Sequence, residues 1–344
     1  MICTTNWQAC GNLEMDGVEL DSSYYPGEML LVELPHARQV FREEIPVERI
    51  DYIDSGLLGI SNMGPLYITV FGSIQQSISV MVQTFTSYLA SLSTPVPYEA
   101  ATSHQFLRDA ADLTLPHDRL AFWLAQDRIY AAQAYPRFIA LLITKIPLDS
   151  TDPAVQVRSR RTLQVLVGCL DNIVREVNFF EDTARRYDLD VGDVEQGEGQ
   201  VWRERKATRD YTAEMARIAS LGTLEDGLVF LWAMEKVYLD AWSNVSSALR
   251  TKSESELGKT GEALRDLSYS WSNANPDFSE FVHGIGMLVD EYLMPLYQQA
   301  MKDGCSNHAE AIVRAESIWA RVVELEAEFW PEQKEEEKMR IPQF

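Results

Sequence analysis

The spacing of apolar positions changes character once along the chain. From about residue 97 to 330, apolar side chains return every three or four positions and proline or glycine stands in the gaps, which is the period of helices with one buried face. This spacing predicts helices over 97–112, 116–145 with a kink at Pro136, 152–187, 207–220, 223–250, 258–270, 276–302 and 305–330. The acidic stretch 188–199, which carries Gly192, Gly197 and Gly199, reads as a loop within one domain, because the helices on either side of it are too few to bury a core alone. The expected fold class is all-α, a single multi-helical domain over 81–334, with a charged C-terminal tail over 335–344.

Residues 1–80 follow no such period. Their apolar runs, 29–32 and 66–71, have strand length, and 11 acidic residues stand against three basic ones, Arg38, Arg42 and Arg49. They read as an extension to the helical domain, either poorly ordered or the product of an overextended gene model, with Met81 standing directly before the natural start of the domain.

Composition narrows the function classes. With 46% of residues apolar and 24% charged, the chain can bury a large core. It carries 52 acidic and 30 basic residues, a net charge of −22 that repels phosphate backbones and anionic lipid, so neither nucleic acid nor a membrane surface is the expected partner. No apolar run approaches the roughly 18 residues of a spanning helix, and the first residues lack a basic patch and an apolar core, which points to a cytoplasmic location. Cys3, Cys10, Cys169 and Cys305 show no C-x-x-C spacing and read as free thiols, not as zinc ligands or disulfides.

Three of the predicted helices place an acid inside an apolar stripe. In the second, Leu120, Trp123, Leu124, Asp127, Tyr130, Ala131 and Ala134 share one face. In the fifth, Leu231, Glu235, Tyr238 and Trp242 do so, and in the last, Trp319, Val322, Glu326, Phe329 and Trp330. An ionised carboxylate buried without a partner costs several kcal/mol. Each acid must therefore be paired with an arginine such as Arg128 or Arg321, be protonated, or face a polar cavity, and three on three helices point to one shared pocket.

The order of these elements resembles that of the TenA family (thiaminase II). The segment Ala101-Thr-Ser-His-Gln-Phe-Leu107, the turn Thr114-Leu-Pro-His-Asp-Arg-Leu120 and the run Phe122-Trp-Leu-Ala-Gln-Asp-Arg-Ile-Tyr130 are similar to the family's first two helices. Glu326-Ala-Glu-Phe-Trp330 resembles its closing E-x-x-F-W. The resemblance implies a heme oxygenase-like helical bundle, a homo-oligomer, usually a tetramer, and a hydrolase that releases the amino or formyl group from a thiamine-derived aminopyrimidine without a cofactor. It also implies that Asp127 and Tyr130 hold the ring, that Tyr238, Trp242 and Trp330 wall the pocket, and that Glu235 and Glu326 move protons.

The family's nucleophilic cysteine, four residues before a tyrosine, is here Met234 before Tyr238, and Glu235 beside it is similar to the glutamate of a cysteine-lacking branch. A second departure is Trp271-Ser-Asn-Ala-Asn-Pro-Asp-Phe278, which offers tryptophan or asparagine where the family carries tyrosine before Pro-acid-Phe. A non-hydrolytic relative on the same scaffold, a small-molecule binder or an oxidase, is the competing expectation. Metal chemistry is weaker: Glu280-Phe-Val-His283 has the spacing of half a di-iron site, Glu33-Leu-Pro-His36 contains proline and cannot supply the helical second half, and His104 reads as a satisfied core or helix-terminal histidine, not a heme ligand.

Overall fold

A computed structural model describes residues 84–192, 201–303 and 307–342. The expectations for residues 1–80, and with them those for Cys3, Cys10, Glu33 and His36, lie outside the described residues, as does Cys305. Helices make up the rest: α1 Phe85–Ala90, α2 Tyr98–Thr102, α3 Gln105–Ala111, α4 His117–Ile129, α5 Tyr135–Ile143, α6 Pro153–Tyr187, α7 Lys206–Leu221, α8 Leu224–Leu249, α9 Glu254–Ser270, α10 Pro276–Asp303, α11 Asn307–Phe329 and α12 Glu335–Met339. No strand occurs among the described residues, and no helix there is long and apolar enough to cross a membrane.

The run Leu228-Val-Phe-Leu-Trp-Ala-Met234 explains why α8 is the axis of the bundle. An element that is apolar all round must be buried all round. All seven of these side chains are buried, and α8 packs against α2, α3, α7, α9, α10 and α11. Its start is fixed by a reciprocal cap: Thr223 Oγ1 accepts from Asp226 N at 3.2 Å and Asp226 Oδ2 accepts from Thr223 N at 3.0 Å.

Two interruptions shape the site. The expected 97–112 helix divides at Ser103, because His104 leaves helical geometry and its Nδ1 accepts from Phe106 N at 3.2 Å, capping α3. The expected kink at Pro136 takes the form of a π-helical turn over Tyr130–Ala134, in which Tyr135 N–H donates to the carbonyl of Tyr130, five residues back. Proline supplies no N–H, and its ring crowds the carbonyl four residues earlier; widening the preceding turn relieves both. The widened turn also places Tyr130 and Tyr135 on the same side, where a regular helix would set them about 140° apart.

Sequence patterning missed three pieces. α1 precedes the predicted start of the helices, and Phe85 and Leu89 are buried. α9 begins at Glu254 with a Ser253–Glu256 capping box and is interrupted at Gly258, whose φ is +56°. The stretch after α11 is a fastened element rather than a free charged tail. Arg119 Nε donates to Glu336 Oε2 at 3.0 Å, and both side chains are buried. Arg205 donates to Glu335 through Nε at 2.8 Å and Nη2 at 2.9 Å and to the carbonyls of Phe329 and Trp330, closing the C-terminal end of α11.

Glycine substitutions on α8 and α6 should separate packing from propensity. A Cβ at Gly227 would come within 2.2 Å of Leu142 Cδ2, whereas one at Gly168 meets nothing within 4 Å. Overpacking costs about 1–3 kcal/mol and alanine gains about 0.8–1 kcal/mol of helix propensity over glycine. Gly227→Ala is therefore expected to lower, and Gly168→Ala to raise, the free energy of urea unfolding. Equal gains from both would show that α5 and α8 do not meet as described.

Candidate active site

The acid-bearing faces of α4, α8 and α11 converge. Asp127, Glu235 and Glu326 line one small chamber together with Tyr130, Tyr238, Met234 and Phe329. The fourth wall is α6. Its buried stripe runs Thr162, Leu166, Cys169, Ile173, then Glu176, then Phe180, in steps of four and three, so that a fourth carboxyl enters the same chamber. Patterning had the means to find Glu176; the adjacent exposed Val174 and Arg175 disguise it as a solvated position. Tyr211, in the stripe Thr208, Tyr211, Met215, Ile218 on α7, and Tyr135 beyond the π turn complete the lining and were likewise missed.

Each carboxyl is met by an aromatic donor. Tyr238 Oη donates to Asp127 Oδ2 at 2.8 Å, Tyr135 Oη to Glu235 Oε1 at 2.7 Å, Trp271 Nε1 to Glu176 Oε1 at 2.5 Å, and Tyr211 Oη to Glu326 Oε1. Among the described residues no cation pairs with any of the four. Arg128 binds Glu181 at 3.0 Å and Arg321 binds Glu324 at 2.6 Å, which removes the structural ion pairs that the sequence left open for Asp127 and Glu326. Glu326 Oε2 is buried and meets no donor.

This arrangement raises the proton affinity of the whole set. Burial pushes Glu326 up to about 8. Burial and then the charge of Glu176 raise Glu235 to about 8, and burial raises Glu176 to about 7. Asp127 lies well above the usual carboxylate range, first through burial and then through Glu176. A site of this kind holds protons at neutral pH and can both give and take them. Its free volume is about 30 Å³, counted as the space open to the centre of a water molecule. Water fits in such a space, and a flat ring enters only as the aromatic lining parts.

Met234, which the sequence resemblance sets at the family's cysteine, lines the chamber, and its Sδ accepts from Tyr130 Oη at 3.0 Å. Cys169 is fully buried on α6, and burial followed by the charge of Glu235 raises its thiol far above the usual range, the opposite of an activated nucleophile. Trp242 and Trp330 do not line the chamber, which corrects their expected place. Trp242 stands two helical turns past Glu235, about 10 Å along the axis. Trp330 stacks on the back of Tyr238, with ring centroids 5.9 Å apart and planes 11° from parallel, and its Nε1 donates to the carbonyl of Ala101 at 2.7 Å. Both belong to the layer that holds Tyr238 in place. His104 Nε2 lies 3.7 Å from Glu332, while His283 is exposed beside a different groove. Among the described residues no group of three or more His, Cys, Asp or Glu side chains is arranged to hold a metal ion.

The profile of one family, TENA/THI-4/PQQC, matches residues 96–336. The chain belongs to this family. Its fold is the heme oxygenase-like all-α bundle, shared with a TenA homologue from Pyrococcus furiosus (21% identity, TM-score 0.50, covering 68% of this chain and 92% of that one). A TenA family transcription regulator from Silicibacter sp. aligns at 19% identity and TM-score 0.50 over 71% of this chain and 94% of its own. A curated relative from Fusarium pseudograminearum, described as a "Probable transcription factor", is 26% identical over 252 residues, 64% of this chain and 48% of that protein. The chain thus spans about half the length of the curated relative it matches.

The chamber should make stability fall with rising pH. A carboxyl whose folded pKa is raised contributes stability that is complete below the unfolded value, 4.5 for glutamate, and is lost as pH passes the folded values of about 7 and 8 for Glu176, Glu235 and Glu326. The melting temperature is expected to drop from about pH 4.5 and to level off above about pH 8. Glu326→Gln should flatten that drop, since the amide does not ionise. A profile unchanged by Glu326→Gln would mean that this carboxyl titrates normally.

Proposed function

We propose that the chain is a cofactor-independent hydrolase that releases the amino or formyl group from a thiamine-derived aminopyrimidine. One observation carries the reading: Glu326, whose buried Oε2 meets no donor, lines the chamber that Glu235 and the Asp127–Tyr238 pair also line. An aminopyrimidine is flat and weakly basic, with an amino N–H beside a ring nitrogen. Asp127 accepts from the amino group while Tyr130 and Tyr238 bracket the ring, and Phe329 closes the apolar side.

Hydrolysis then needs one base and one acid. Repulsion within the cluster keeps a proton on one of Glu235 and Glu326 when the other ionises. The ionised member takes a proton from water as its oxygen bonds to the carbon bearing the departing nitrogen. The protonated member gives its proton to that nitrogen as the C–N bond breaks, releasing ammonia; for a formyl amide, the same steps release formate and leave the amine. The proton passes back between the two acids afterwards, so the site is regenerated. Tyr135 and Tyr211 orient the two glutamates through their hydrogen bonds.

Met234, set at the family's cysteine by the sequence resemblance, favours a second reading, in which the chamber binds such a ring without turning it over. The role given for the Fusarium relative gains no support, since a net charge of −22 repels the phosphates of DNA.

Ammonia and formate release from the aminopyrimidine and its formyl derivative, with calorimetric binding alongside, decides between the readings. Glu235→Gln and Glu326→Gln are each expected to lower kcat by roughly 100-fold with binding largely kept. Asp127→Asn should weaken binding as well. Thiol alkylation should leave activity intact. Binding with no product from the unaltered chain would establish the second reading, and inactivation by alkylation would reveal a nucleophilic thiol.

A further inference from the structure

Glu176 faces two spaces. It lines the chamber, and with Phe179, Trp271, Asp277, Phe278 and Glu280 it also lines an open groove between α6, the end of α9 and the start of α10. The groove has a free volume of about 730 Å³, against about 30 Å³ in the chamber. The Glu176–Trp271 hydrogen bond, 2.5 Å long, is the partition between them. The two members of that partition differ in how closely they are packed. Trp271 is 3% exposed and held between Tyr238, Phe179 and Phe180, with ring centroids 5.5, 6.0 and 5.7 Å away. Glu176 is half-buried, on a helix whose neighbouring turn is in solvent.

The acids of both spaces, where they ionise, are met by little positive charge. Four carboxyls in the chamber find no cation, one of them leaves a buried oxygen without a donor, and the groove adds Asp277 and Glu280. Arg175, the basic side chain on the groove, is paired with Asp171 at 3.0 Å. Aromatic faces beside carboxylates suit an organic cation. We propose that Glu176 is a specificity-determining residue of this site: it is the partition between chamber and groove, and it leaves Trp271 to hold the positively charged substituent of a ligand whose flat ring lies in the chamber and whose remainder lies in the groove. This assignment rests on the aminopyrimidine reading for the identity of the ring, and on the lining of the two spaces for the charge of the substituent.

Calorimetric Kd values on the full chain test it. Thiamine carries a cationic ring on its aminopyrimidine; hydroxymethyl aminopyrimidine carries a neutral group at the same place. The unaltered chain should prefer thiamine. Glu176→Gln, which can still accept from Trp271, should weaken thiamine about tenfold or more and shift hydroxymethyl aminopyrimidine by less than about twofold. Glu176→Asp, which keeps the charge, should restore part of the preference, and it serves as the charge test if Glu176→Gln melts early. Equal losses for both ligands, or an unaltered preference, overturn the proposal. If neither aminopyrimidine binds the unaltered chain, the hydrolase reading fails, and benzylammonium against benzyl alcohol then judges the partition. A benzylammonium preference that Glu176→Gln abolishes sustains it, and no binding, or binding indifferent to Glu176→Gln, overturns it.

Discussion

Carboxyl groups removed from water and given neutral partners are the constraint around which this bundle is built. A buried ion pair would settle the charge of each acid permanently. Here Tyr238, Tyr135, Trp271 and Tyr211 each supply one donor and no charge, so the balance is left to a proton or to whatever enters the chamber. Arginines are present nearby, but they serve other acids: Arg128 holds Glu181, and Arg205 and Arg119 hold Glu335 and Glu336. The protein thus separates two uses of electrostatics, spending cations on architecture and withholding them from the cavity.

That separation accounts for much of the fold. Donors attached to aromatic rings need firm ring packing to stay aimed, and the layer of Trp123, Trp242, Trp271 and Trp330 behind Tyr238 provides it. The end of α11 carries both Glu326 and Phe329, and the guanidinium of Arg205 secures its last carbonyls. The short α12, closing over Arg119, ties that end to α4, the helix that carries Asp127.

Where one physical period governed, the sequence was readable. Asp127, Glu235 and Glu326 stand in regular stripes, so their helices and their inward faces follow from spacing alone, and the family resemblance supplied the order in which they meet. Glu176 obeys the same period but is masked by the exposed side of a long helix, where Val174 and Arg175 give mixed signals. Tyr135 broke the period, because the π turn shifts every later residue on its helix by one place. The two tryptophans show the opposite error: a stripe continues past the edge of a cavity into the core, and sequence carries no mark of where the cavity stops. The ends of the bundle were hardest. α12 is a charged pentapeptide held by partners far away in the chain, Arg119 and Arg205 through their side chains and Arg203 through its backbone N–H.

The π turn has a consequence for how this helix can change over time. A widened turn is equivalent to one residue inserted into a regular helix, and the added length is absorbed locally without a loop. Removing a single residue from 131–134 would restore an unbroken hydrogen-bond ladder up to Pro136 and leave everything downstream on its present face, because the widened turn already absorbs that residue. Tightening the turn with all its residues kept would instead rotate Phe138, Ile139 and Leu142, now buried, by about 100° away from the cleft beside Gly227. Local regularity and global packing therefore pull against each other at this turn for as long as its extra residue is kept, and only a matching deletion satisfies both.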